Sequence, residues 1–148
     1  MKKISIAVSF LFLIVGFTGV AHADLNDFLR RVNEQAKADI KSFNVKLSAQ
    51  FGIPVPRVDE ILRVVAAPAD AFMVLELGRM TNKQPETVVQ TYQANRDKGW
   101  GVIAKELGIK PGSAEFHALK RGDFAFTGKA GDSRDQGPGK GKGKGHRK

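Results

Sequence analysis

The sequence predicts an all-α protein, a small bundle of about six helices, and three observations carry that expectation. Between Asp24 and Gly122 the apolar residues recur every three or four positions, the spacing of one face of an α-helix. Glycines and prolines interrupt this pattern at Gly52, Pro54, Pro68, Pro85, Gly99, Gly108 and Gly122, where they start or stop helices. Alternation of apolar and other residues is confined to Asp123-Phe124-Ala125-Phe126, too short to establish a strand, and these phenylalanines read as a strap closing the core.

The chain opens with an export signal. Lys2 and Lys3 precede an apolar run from Ile4 to Val20, and Ala21-His22-Ala23 supplies small residues at both specificity positions of a signal-peptidase site. Residues 1–23 are therefore expected to be a signal peptide cut before Asp24, which places the mature protein in the periplasm or outside the cell, with no integral membrane span after processing. An uncleaved anchor is the alternative, because the run approaches the roughly 17 to 25 residues that span a bilayer. With no cysteine in the chain, neither a disulfide nor a lipid on cysteine is available, and the core must hold by burial alone.

Residues 24–52 read as one long amphipathic helix. Leu25, Phe28, Leu29, Val32, Ala36, Ile40, Phe43, Leu47 and Phe51 form its stripe, Asp24 caps it and Gly52 with Pro54 ends it. Such a helix would be about 40 Å long, so it must cross the whole domain or project from it. Residues 56–122 read as a compact core. Val58, Ile61, Leu62 and Val65 make a short helix that stops before Pro68. Pro68 and Asp70 suit the first turn of the next helix, in which Phe72, Met73, Val74, Leu75, Leu77 and Met80 leave little polar circumference, the mark of the most buried element. Pro85-Glu86 opens a further helix with Val88, Val89 and Tyr92 inward. Trp100, Ile103 and Leu107 define a two-turn helix ended by Gly108, and Ser113 caps the last one, with Phe116 and Leu119 inward.

The charge is uneven. Residues 24–127 carry 15 basic and 13 acidic side chains, whereas residues 128–148 carry seven and two. The pI near 10 is thus a property of the end of the chain. That end, GKAGDSRDQGPGKGKGKGHRK, has nothing larger than Ala130 or Pro138 to bury and is expected to be a disordered basic tail. Lys140, Lys142, Lys144, Arg147 and Lys148 can settle on phosphates or carboxylates by releasing counterions, which suits lipopolysaccharide, an acidic wall polymer or extracellular DNA. A purely solubilising tail is the plainer alternative.

The stretch IAKELGIKPGSAEFHALKRG resembles the helix-turn-helix of response-regulator-type transcription factors, with Ile103, Leu107 and Ile109 as core positions, Ala104 at the helix crossing and Gly108 at the turn. The resemblance covers some twenty residues and implies the packing of two helices. It departs from a DNA reader where bases would be read, since Ser113, Glu115 and His117 stand where Arg, Lys, Asn or Gln would be needed. The longer block from GWGVIAKELG through PGSAEFHALKRG is similar to one found in small exported bacterial helical proteins. That resemblance implies an all-helical exported module and no catalytic residues.

Candidate chemistry is thin. His117 and His146 are the two histidines of the mature chain, and no second and third ligand accompanies either at metal-binding spacing. Asp59, Glu60, Glu86, Glu106 and Glu115 fall at helix starts or exposed faces, where dipole and solvation roles are the default. No nucleophile elbow or phosphate-cradling glycine loop is present, and no cofactor is expected. Trp100, between Gly99 and Gly101, either presents an indole to a ligand or plugs a corner of the core. The function expected is therefore that of an exported, non-enzymatic interaction module: the body binds an envelope or secreted protein, through Leu25, Phe28, Val32 and Trp100, and the tail adds electrostatic attachment. A periplasmic chaperone-like or stress protein is the alternative, with a DNA-binding protein third.

Overall fold

The N-terminal stripe does not run as one helix. In the computed structural model, which describes residues 24–131, seven α-helices occur: α1 Leu25–Ala38, α2 Ile40–Phe51, α3 Val55–Val64, α4 Pro68–Thr81, α5 Pro85–Asn95, α6 Trp100–Glu106 and α7 Ala114–Arg121. A single turn of 3-10 helix, Arg96–Lys98, joins α5 to α6. The described residues contain no strand. The expected signal peptide and the tail residues Lys140, Lys142, Lys144, Arg147 and Lys148 lie outside the described residues.

The extra helix arises at Asp39, whose extended backbone (φ −157°, ψ 97°) separates α1 from α2. Its carboxylate accepts a hydrogen bond from the Ser42 N–H at 3.0 Å and so caps α2. The physical reason for the break is size. A domain of about a hundred residues has a radius of gyration near 13 Å, and only a bend lets both halves of the stripe reach one core. Phe28, Val32 and Ala36 of α1 and Phe43 and Leu47 of α2 are all buried.

Most other helix boundaries fall where the sequence places them, although α5, expected to run to Gly99, ends at Asn95 and gives way to the 3-10 turn. The Asp24 carboxylate accepts from the Asp27 N–H at 3.0 Å, and the Ser113 hydroxyl accepts from the Phe116 N–H at 3.1 Å. Gly52 closes α2 in the left-handed conformation. Gly122 does the same for α7 and is needed twice over, because a Cβ there would lie 2.8 Å from the Asp24 carbonyl oxygen. The end of α7 thereby seats the start of α1.

Helix α4 is the centre of the domain, with every residue from Ala69 to Gly78 buried except the half-buried Asp70. α1 packs on one side of it and α5 on another, while α3 folds back on α2. Phe72 gathers four aromatic neighbours, Phe28, Phe51, Phe124 and Phe126, at ring-centroid distances of 5.1, 5.5, 6.2 and 6.0 Å. Phe124 and Phe126 belong to the closing strap, residues 123–127, which forms no regular secondary structure. No helix among the described residues is long and apolar enough to cross a membrane.

Candidate functional site

The strap is held by one side chain. Gln50, in the last turn of α2, is buried; its amide nitrogen donates to the Ala125 carbonyl at 2.8 Å, and its amide oxygen accepts from the Thr127 and Gly128 N–H groups at 3.0 and 3.1 Å. The Gln50 carbonyl then accepts from the Gly131 N–H at 3.3 Å. Four contacts from one residue thus carry residues 125–131 past the core and fix where Gly131 lies.

That point is the rim of a cleft of about 430 Å³ between the C-terminal ends of α2 and α4 and the start of α5. Ala130 and Gly131 line it together with Gln50, Arg79, Asn82 and Lys83. Asn82 ends α4 in the left-handed conformation (φ 53°), which turns the chain sharply and brings Lys83 beside Arg79. Arg79 is fixed from below. Glu76, a fully buried carboxylate in the middle of α4, accepts from Arg79 Nε at 3.2 Å and from Nη2 at 2.5 Å. The pairing raises the guanidinium above its already high value, against the effect of partial burial. Nη1 has no partner among the described residues. A bidentate pair satisfies the buried carboxylate while directing the remaining guanidinium edge outward. Chemically the cleft offers two cations, Arg79 and Lys83, which can receive phosphate or carboxylate oxygens.

The residues singled out from the sequence fall elsewhere. Phe28 and Val32, expected on a partner-facing stripe, are core residues at 4 % and 1 % exposure, and Leu25 is half-buried against the same core. The correction follows from the bend at Asp39, which turns the stripe inward. Trp100 is half-buried and stacks on Tyr92 with centroids 5.2 Å apart and planes 26° from parallel. The Tyr92 hydroxyl accepts from the Ala66 N–H at 3.0 Å and donates to the Asp70 carboxylate at 2.8 Å, which also accepts from the Ala67 N–H at 3.1 Å. Burial pushes the Tyr92 phenol above its usual 10.0; the Ala66 N–H opposes the shift and Asp70 adds to it. This network ties the α3–α4 corner to α5.

His117 is exposed on α7, beside the exposed Glu115, Lys120 and Arg121. The connection between α6 and α7, residues 107–113, is longer than the three or four residues of a DNA-binding helix-turn-helix. Among the described residues no group of three His, Asp or Glu side chains could hold a metal ion. Gln50, Glu76, Arg79 and Lys83 were not singled out from the sequence. The signal for two of them was present: Glu76 is the one charge inside the apolar run AFMVLEL, and Arg79 follows it by three. Comparison with protein-family models, with curated proteins and with solved structures finds no match.

Proposed function

We propose that this chain is an exported, non-enzymatic helical module that attaches to an anionic polymer or surface through its basic C-terminal segment, with Arg79 and Lys83 as the body's share of the attachment. One observation carries the reading: Gln50 anchors residues 125–131, and Gly131, which precedes the sequence containing Lys140, Lys142, Lys144, Arg147 and Lys148, lines a cleft that itself holds Arg79 and Lys83. Lipopolysaccharide, acidic wall polymer and extracellular DNA share the closely spaced anions that such a site receives. The helical body presents the segment; the stripe expected to meet an envelope or secreted protein lies in the core.

The test is binding of the purified full-length product to duplex DNA and to lipopolysaccharide vesicles across a salt series. Five net charges in the tail give a log–log salt slope of about −4.5 on DNA, and engaging Arg79 and Lys83 as well steepens it to about −6. Replacing Lys140, Lys142, Lys144, Arg147 and Lys148 by glutamine should abolish binding to both, and Lys83→Gln should shallow the slope by about 1. Undiminished binding without the five cations removes the proposal. Sequence preference on DNA that survives their loss would instead make α7 the reader.

A further inference from the structure

α1 and α2 meet at one residue, and the apolar stripe crosses that residue without losing register. Val32, Ala36, Ile40, Phe43 and Leu47 follow one another by four, four, three and four positions. In the bent molecule Ala36 and Phe43 are buried while Ile40, between them, is 47 % exposed. A straight helix through Asp39 would restore Ile40 to the stripe and would let the Ile40 and Lys41 N–H groups donate to the Ala36 and Lys37 carbonyls.

Two things hold the bend. Asp39 caps α2 through Ser42, and α1 docks on its own chain. The docking consists of Phe28 against Phe72 and Phe124 at 5.1 and 5.6 Å, the Asn33 side-chain oxygen accepting from the Ala69 N–H at 2.8 Å, and the start of α1 lying against Gly122. None of these contacts requires α1 to come from the same chain. The same surface of α4, α7 and the strap can receive α1 of a second copy with these contacts kept and only the hinge changed. Short hinges between docked elements favour such exchange.

We infer that the face of α4 and α7 covered by α1 is an interaction surface whose partner is α1 of a second copy, reached by straightening at Asp39 into a domain-swapped dimer. One feature opposes the straight form. Lys37 and Lys41 become neighbours at i and i+4 only when the helix is continuous, and their repulsion is relieved by salt. The exchanged dimer therefore gains population with ionic strength as well as with protein concentration.

The experiment is sedimentation of the purified full-length product at increasing concentration, after warming through unfolding and slow cooling so that exchange equilibrates. Asp39→Ala removes the cap and favours the helix, which shifts each hinge about tenfold and dimerisation about a hundredfold. Asp39→Asn keeps the cap and should behave as the parent. Because the chain lacks cysteine, the pair Asn33→Cys with Ala69→Cys reports the topology directly. In the dimer the cross-link joins two chains, and in the monomer it closes within one. Should that pair not fold, subunit mixing between labelled and unlabelled dimers replaces it: swapped chains interchange only as fast as the protein unfolds. Equal dimerisation of Asp39→Ala and Asp39→Asn overturns the inference. So does a dimer whose cross-link stays within each chain or whose subunits mix rapidly.

Discussion

Helix α4 and the α1–α2 arm are both rich in apolar residues, yet they reach the core by different routes. α4 is apolar around most of its circumference, so burial on all sides is the one arrangement that removes its surface from water. The arm is amphipathic, and a stripe can be covered by a partner along a straight helix or by its own core along a bent one. The difference teaches that an all-round apolar helix specifies its place, whereas a stripe specifies only that something must cover it. A single extended residue, Asp39, decides what does.

The comparison breaks most severely at Phe72. Phe72→Ala removes the ring that Phe28, Phe51, Phe124 and Phe126 share, and should cost about 3 to 5 kcal/mol in denaturant unfolding. A loss below about 1 kcal/mol would mean that α4 is not the centre of the core. On the arm, Gln50→Leu strands three backbone partners of the strap and should cost about 2 to 3 kcal/mol. Its mark is local: limited proteolysis should cut after Phe124 while the helical content stays unchanged.

Tyr92→Phe tests how α4 is entered. It leaves the Ala66 N–H without its acceptor and should cost about 1 to 2 kcal/mol at neutral pH. The folded phenol titrates above 10.0, the value it takes in the unfolded chain. Its contribution is therefore fully present below that pH and is lost as pH rises through the folded value. The stability gap between parent and Tyr92→Phe should narrow above pH 10, and a gap that widens there would contradict the burial of the hydroxyl. The smallest effect belongs to Ser113→Ala, remote from both regions, at about 1 kcal/mol for a lost cap.

Much of the fold was legible because its signals are local. Asp24, Gly52, Pro68, Ser113 and Gly122 start or end helices through their own backbone or their nearest neighbours. The strap was legible as well, since Phe124 and Phe126 have no other way to leave water. Asp39 was not, because an aspartate between two helical stretches reads as an exposed helical residue as readily as a cap. The candidate site was still less legible. Gln50 acts on residues 75 to 81 positions away in sequence, and Lys83 comes to line the same cleft as Arg79 through the left-handed turn at Asn82.

By itself the sequence determined the helical class, most helix boundaries, the centrality of α4 and the confinement of excess positive charge to the C-terminal end. Each of these depends on composition or on contacts within a turn or two. The tertiary structure decided that the N-terminal stripe bends and faces inward, that Glu76 sets Arg79, and that Ala130 and Gly131 lie in the cleft with Arg79 and Lys83. Those outcomes depend on which distant surfaces compete for the same apolar area and the same buried hydrogen bonds, a competition that spacing along the chain does not record.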